Sequence, residues 1–361
     1  MTWPRVVARI LVMSLKNLIK WSQNDFMDLP WRNNRSLYGT LVSEIMLQQT
    51  TVGTVKNHYE RFLQKFPSLE SLALASEEEL LVAWKGLGYY RRARNLKKIS
   101  DHIQNENKGI FPATAEELQG IPGIGPYTSH ALIAIGKDKQ GLTINANLER
   151  VIARLYGLKV EKGPKLQKKI LELFHEDKIF TNFKMSYRAL NEALMDLGRT
   201  YCQARKASCE LCPMKSECHA FKTNTQKTLP VEKKLSLKEK EVHELVLLRV
   251  LVVKKNQVLA YKKSDKEWLS GQFELPTLII STSDKSLKQY SKLQSKFEYK
   301  KLKHYKTSIT KYKITNYILE TSLKELKALG FKQEVIWKNM TDANSNLSTA
   351  SSKAIRQARD A

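Results

Sequence analysis

Residues 202–218 read CQARKASCELCPMKSEC, and they hold every cysteine of the 361-residue chain: Cys202, Cys209, Cys212 and Cys218, spaced Cys-x6-Cys-x2-Cys-x5-Cys. A secreted disulfide framework spreads its cysteines along the chain, so a set this dense points to a reducing compartment and a metal site. Four thiolates on one loop can enclose a tetrahedral ion or a cubane cluster. Coordination chemistry alone leaves structural zinc and an iron–sulfur cluster both open. The long-short-long spacing nevertheless differs from the paired Cys-x2-Cys knuckles of zinc sites. Arg199, Arg205 and Lys206 flank the loop and give it a cationic face suited to phosphate.

Upstream of this loop, residues 14–222 read as one helical domain. Ser76–Glu79 and Thr114–Glu117 are capping-box patterns ahead of apolar runs, and few segments alternate with period two. Downstream, residues 223–241 are polar, Lys-rich and contain Pro230, the composition of a linker. From His243 the pattern becomes that of strands. Leu245–Val253 and Gln257–Tyr261 flank a hairpin signal at Lys254–Asn256, and Thr310–Leu319 alternates. A smaller α+β domain is expected over 242–340, followed by a flexible tail over 341–361, rich in Ser, Asn and Ala. Val6–Met13 is apolar but short and lacks a signal-cleavage pattern. It reads as a helix, or as an overlong start upstream of Met13.

The formal net charge is +25, and the excess is uneven: residues 221–361 carry 29 Lys+Arg against 14 Asp+Glu, residues 1–220 carry 32 against 22. Such a balance attracts a polyanion, nucleic acid first and an acidic membrane surface second. No run approaches the roughly 18 apolar residues needed to cross a bilayer. The expected place of action is the cytoplasm of a bacterium, at the nucleoid.

Ile121-Pro122-Gly123-Ile124-Gly125-Pro126-Tyr127-Thr128 lies between two helical stretches. Gly123 and Gly125 allow a tight turn with outward N–H groups, and Pro126 suits the first position of the next helix. The alternative is a plain helix–helix turn. Exposed N–H groups at a helix start instead make an anion site, here for a DNA phosphate.

Together with this hairpin and the cysteine loop, four further segments carry a resemblance: Leu29-Pro30-Trp31-Arg32, Ser43-Glu44-Ile45-Met46-Leu47-Gln48-Gln49-Thr50, Gly86-Leu87-Gly88-Tyr89-Tyr90 and Asn191-Glu192-Ala193. In order and spacing the chain resembles the adenine DNA glycosylases of the MutY type, within the endonuclease III superfamily of helix-hairpin-helix glycosylases. The likeness covers roughly residues 14–335. It implies a mainly α N-terminal region, a six-helix barrel plus an iron–sulfur cluster module, and an α+β Nudix-like C-terminal domain opened by Gly271-Gln272-Phe273-Glu274-Leu275-Pro276. It implies a 4Fe-4S cluster on Cys202, Cys209, Cys212 and Cys218. It also implies a monomer acting on double-stranded DNA, removing adenine mispaired with 8-oxoguanine.

The base must leave the stack to be reached, so a pocket and wedges are required. The resemblance assigns Trp31, Leu47 and Glu192 to the base pocket. To DNA it assigns Arg32, Gln48, Gln49, Thr50, Tyr89, Gly123, Gly125 and Thr307. From the residues alone, Gln49 reads as a helix-surface side chain and Tyr89 as a core ring. An amide can fill a vacated position and an aromatic plane can stack on a base.

Adenine leaves poorly until a ring nitrogen is protonated, and a carboxylic acid of raised pKa can supply the proton. Glu44 has Leu41 and Leu47 three residues away on either side, an apolar strip against which burial would raise its pKa. Most helical glutamates are simply solvated; the resemblance selects Glu44 as the acid. At Tyr127 the endonuclease III type carries a lysine that forms a Schiff base. A tyrosine cannot, so strand-cleaving lyase activity is not expected.

Two departures from the family pattern matter. Asn145 stands where the family has an aspartate that stabilises the sugar cation, and Ala146 replaces the usual glycine. Lys306-Thr307-Ser308 stands where the family reads 8-oxoguanine with Phe-Ser-His; only the Thr307 hydroxyl is preserved. Three functions follow: a slow adenine glycosylase, a lesion- or mismatch-binding protein with little catalysis, and a glycosylase for another mismatch such as thymine opposite guanine.

Overall fold

Both capping boxes close. Ser76 Oγ accepts from the Glu79 amide at 3.2 Å while the Glu79 carboxylate accepts from the Ser76 amide at 2.9 Å, and Thr114 and Glu117 do the same. Each pair satisfies amides that a helix start leaves unbonded. The computed structural model describes residues 5–33, 35–176, 185–232, 242–294 and 298–360. Its helices are α1 (Arg5–Phe26), α2 (Pro30–Asn33), α3 (Leu37–Leu47), α4 (Val52–Lys65), α5 (Leu69–Leu74), α6 (Glu77–Ala83), α7 (Arg91–Glu106), α8 (Ala115–Gln119), α9 (Pro126–Ala131), α10 (Ala146–Tyr156), α11 (Pro164–Glu176), α12 (Tyr187–Thr200), α13 (His219–Lys222), α14 (Leu323–Ala328) and α15 (Thr349–Arg359). A π-helical turn, Leu132–Gly136, extends α9. No described helix is long and apolar enough to cross a membrane.

Chain contacts divide the protein into two compact units, Met1–Leu74 with Asn95–Leu235 and Ala75–Arg94 with Ser236–Ala361. This corrects the continuous 14–222 domain: the boundary falls inside α7, and α6 belongs with the C-terminal strands. Lys338 Nζ sits 3.3 Å from a Glu78 carboxylate oxygen and Lys85 Nζ 3.4 Å from Ser352 Oγ. Contacts so distant in sequence leave no local signature.

In the first unit, Leu190, Ala193, Leu194 and Leu197 form the apolar stripe of α12 and pack on Leu15, Leu18 and Ile19 of α1 and Leu148, Val151 and Ile152 of α10. Gly157 ends α10 in the left-handed conformation, and a Cβ there would overlap the His219 ring that follows the last cysteine. The expected linker starts later than 223. Leu229 is buried, its carbonyl accepting from Arg154 Nε at 3.0 Å, and Val231 pairs with Glu161. The rest of that segment, 233–241, lies outside the described residues.

The second unit has strands β1 (His243–Leu251), β2 (Val253–Lys254), β3 (Gln257–Lys262), β4 (Phe273–Glu274), β5 (Thr277–Thr282), β6 (Ser291–Lys292), β7 (His304–Ile309), β8 (Tyr312–Glu320) and β9 (Ile336–Asn339). A five-stranded sheet runs β6-β5-β1-β8-β7; a second joins β2, β3 and β4, with β9 also on β3. The hairpin read at Lys254–Asn256 is real, pairing Lys254 with Gln257, but only β2 takes part, because β1 belongs to the other sheet. The tail expected to be flexible is α15. Ser348 caps it, and Leu347, Ala354 and Ile355 bury against Leu251, Phe273, Leu275 and Ile318. Ala354 and Ile355 lie on the same helix face as buried Ser351, and Leu347 packs just ahead of the cap, a stripe the polar composition concealed.

Candidate active site

Ser36 caps α3 by accepting from the Gly39 amide at 2.9 Å, and the helix behind it is buried on most of its circumference. Glu44 is therefore only 6% exposed. The Tyr127 hydroxyl, brought by α9, donates to Glu44 Oε2 at 2.6 Å. Burial pushes the Glu44 carboxyl up to about 7; the Glu192 charge adds to the rise and the Tyr127 hydrogen bond opposes it. Glu44 can thus carry a proton near neutral pH inside a pocket. Tyr127 is raised well above its ordinary value by burial and by the Glu44 charge, with the Asn145 amide opposing.

Asn145 is the N-cap of α10. Its Oδ1 accepts from the Asn147 and Leu148 amides at 2.8 and 3.0 Å. The approach to it is pinned by Asn191, fully buried, whose Oδ1 accepts from Thr143 N at 2.7 Å and whose Nδ2 donates to Gly141 O at 3.0 Å. Asn191 came out of the sequence only as part of a motif, with no role; its work is to hold the segment that presents Asn145.

One turn along α12, Glu192 and Asp196 share a helix face. Arg35 holds Glu192 bidentately, at 2.6 and 3.1 Å. Arg32, expected on DNA, is 5% exposed and lines the cavity described below; it donates to Asp196 Oδ2 at 3.0 Å and to Phe26 O at 3.3 Å, and sets Nε 3.6 Å from Glu192. Asp196 also accepts from Ser22 at 2.5 Å and Arg199 at 2.9 Å. Arg35, Ser22 and Asp196 carry no local signature, since these pairings span 157 to 174 residues.

These groups face one cavity of about 930 Å³, within the roughly 300–1,000 Å³ of small-molecule sites. Glu44, Tyr127 and Asn145 line it, with Trp31, Leu47 and Glu192, and with Gln48, Gln49 and Thr50 at the end of α3. Trp31 stands edge-on to Tyr59, ring centroids 5.8 Å apart. Gln49 is exposed in the left-handed conformation, φ +56°. That backbone costs a non-glycine residue about 1–2 kcal/mol and turns the side chain out of the helical row.

In the second unit Tyr89 is likewise left-handed, φ +47°, and 58% exposed. It is a projecting ring, not a core one. Thr307 lies on β7 with Tyr305 on the inward face, and its hydroxyl accepts from Asn316 Nδ2 at 2.9 Å. Lys306 and Ser308 point the other way and are exposed.

The hairpin between α8 and α9 is formed in the first unit. Gly123 has φ +103°, and a Cβ there would overlap the Asn95 amide, which donates to Gly123 O at 2.8 Å. Gly125 caps α9 without a side chain and with open space before it, leaving the first amides of the helix uncovered.

The four cysteines line a single small pocket walled by Val151, Leu155, Leu197 and Phe221. Burial pushes the Cys212 thiol up to about 12, and charges on the other three cysteines add to it. Arg154, buried, donates to Cys202 Sγ at 3.4 Å. Arg150 donates to Cys202 O at 2.7 Å and to Asn147 Oδ1 at 2.8 Å, linking the cysteine loop to the cavity wall. Among the described residues no group of three or more His, Cys, Asp or Glu side chains is arranged to hold one metal ion.

Residues 42–176 match the family described as HhH-GPD superfamily base excision DNA repair protein. An adenine DNA glycosylase of Buchnera aphidicola subsp. Acyrthosiphon pisum is 34% identical over 205 residues, 56% of this chain and 57% of that one. Another, of Buchnera aphidicola subsp. Schizaphis graminum, is 31% identical over 261 residues, 72% and 73% of the two chains. The adenine DNA glycosylase of Homo sapiens is 34% identical over 229 residues, covering 61% of this chain and 41% of that one. A solved thermostable thymine-DNA glycosylase superposes with TM-score 0.52 at 26% identity, over 61% of this chain and 98% of that one.

Proposed function

The chain belongs to the adenine DNA glycosylase family, and from that premise we propose that it excises adenine from duplex DNA by hydrolysing the N-glycosidic bond. The observation that carries the reading is Glu44: a carboxyl buried in a base-sized cavity, raised to about 7 and hydrogen-bonded to Tyr127. Glu44 gives its proton to a ring nitrogen of the flipped adenine. The carbon–nitrogen bond then breaks toward the base, the sugar carbon becomes cationic, and water adds there, its proton returning to the Glu44 carboxylate left by the first step. Trp31 and Leu47 bound the base; burial keeps Glu44 protonated, and Glu192, fixed by Arg35, adds a smaller contribution of the same sign. Tyr127 cannot form an imine, so the strand stays intact.

The proposed substrate is adenine opposite 8-oxoguanine, taken by a monomer at the bacterial nucleoid. Gln48, Gln49, Thr50 and Tyr89 are the proposed duplex contacts, and Gly123 and Gly125 offer backbone amides to a phosphate. The C-terminal unit is proposed to be Nudix-like. With Lys306 and Ser308 in place of an aromatic and an imidazole, and the Thr307 hydroxyl already engaged, discrimination between 8-oxoguanine:adenine and guanine:adenine should be shallow.

We also assign a 4Fe-4S cluster to Cys202, Cys209, Cys212 and Cys218. The donor set fits: four thiolates in an apolar pocket repel one another unless a cationic core lies among them, and a cubane spreads its ligands over several irons where one ion would draw them together. Buried Arg150 and Arg154 beside Cys202 match the net negative charge of a four-thiolate cluster. When bound, the cluster ties the loop to α10 and α12.

Under single-turnover conditions, adenine release from an 8-oxoguanine:adenine duplex that disappears in Glu44→Gln supports the reading. Equal release by both proteins overturns the role of Glu44. Release of thymine from a guanine:thymine duplex with no release of adenine favours the mismatch alternative.

A further inference from the structure

Resting on the duplex-DNA reading above, we propose that the outer face of the β7–β8 hairpin, carrying Lys306, Ser308, Lys313 and Thr315, grips DNA phosphates and reads no base. The strand register places these four side by side: Lys306 pairs with Thr315, and Ser308 with Lys313. Directly paired residues of antiparallel strands share a face, as do residues two apart. Two ammonium groups and two hydroxyls therefore occupy neighbouring positions.

That end of the face is open. Farther along the sheet, α14 brings Leu326 onto Leu248, Leu278 and Tyr317. Near the hairpin Lys306, Ser308 and Lys313 are exposed and Thr315 is half-buried. Among the described residues neither lysine side chain makes an ion pair or hydrogen bond. The carboxylate nearest in register is Glu244, which pairs with Lys313 on the side away from Lys306.

The occupant follows from charge. Residues 221–361 carry fifteen more basic than acidic side chains, 29 against 14. Lysine binds phosphate as a point charge without geometric selectivity, and flanking hydroxyls add hydrogen bonds to phosphate oxygens. A base reader needs a free directed polar or stacking group, and on this hairpin those groups are engaged: the inward Thr307 hydroxyl accepts from Asn316, the Tyr305 and Tyr312 hydroxyls donate to Ala350 O and Asp284, and the outward His304 ring lies against Tyr317. The hairpin thus adds affinity that is independent of the lesion.

The test is equilibrium binding of the full chain to two duplexes, one with 8-oxoguanine:adenine and one undamaged, across a salt series. Wild type is compared with the double variants Lys306→Met/Lys313→Met and Lys306→Arg/Lys313→Arg, each checked for an unchanged melting temperature. Each phosphate neutralised contributes about 0.9 to the slope of log affinity against log salt. The methionine pair is expected to lower the slope by roughly two and to weaken both duplexes by the same factor, while the arginine pair keeps the wild-type slope. An unchanged slope, or a loss confined to the 8-oxoguanine duplex, overturns the proposal. Failure of wild type to bind either duplex overturns the DNA reading itself.

Discussion

Glu44 and Asn145 are the groups proposed for the two ends of the chemistry, and Tyr127 touches both. Glu44 keeps its proton because water is excluded from it; its folded value of about 7 stands above the ordinary 4.5. The protonated form is therefore favoured by folding. Stability owed to it is fully present below about pH 4.5 and is lost as pH rises through about 7, a swing on the order of 3 kcal/mol. Glu44→Gln should accordingly melt higher than wild type at pH 8 and show little advantage at pH 4, a difference thermal unfolding at both values reads directly. Adenine release by wild type should fall on the alkaline side of about pH 7, where the acid is spent. Asn145 keeps the cap of α10 but, where an aspartate is proposed to steady the sugar cation, brings no charge. Restoring it as Asn145→Asp should preserve the cap and raise single-turnover release roughly 100- to 1000-fold, since one charged group in a dry site contributes several kcal/mol. A rate within twofold of wild type would show that the amide already suffices.

Among the elements, those with a local rule were legible. Capping residues mark the starts of α6 and α8, glycines and Pro126 mark the hairpin before α9, and alternation marks β8. What sequence reading missed shares a different cause. Arg32 and Arg35 sit beside a motif that suggested DNA contacts, yet their partners Asp196 and Glu192 lie on α12, over 150 residues away. α15 hid behind Ser, Asn and Ala because its buried stripe consists of two small residues, Ser351 and Ala354, and one Ile, with Leu347 ahead of the cap. Leu347→Ala should cost about 2–4 kcal/mol, measured by denaturant unfolding, because that side chain is buried at the cap of α15. A loss below about 0.5 kcal/mol would return the segment to the status of a tail. Glu44 itself was readable only in part: the apolar neighbours were in the sequence, whereas Tyr127 and Glu192, which set its proton affinity, come from α9 and α12.

Across the whole molecule, charge and the cysteine loop act together. A net charge of +25 draws the chain to a polyanion, and the hairpin and α3 terminus are the contacts proposed to position it. The cysteine loop closes the far side of α10 from Asn145, with Arg150 spanning the two. Cys209→Ser should therefore lower bound iron and the visible absorbance of the purified protein, and also its melting temperature. Full-length protein purified without iron, with an unaltered melting temperature in the variant, would refute the cluster. The central claim, that this chain frees adenine by proton donation from Glu44, is met most directly by single-turnover release from an 8-oxoguanine:adenine duplex over pH 5–9. Wild type should release adenine with a rate that declines through about pH 7, and Glu44→Gln should release none above background at any pH. Measurable release by Glu44→Gln with the wild-type pH profile would contradict the account.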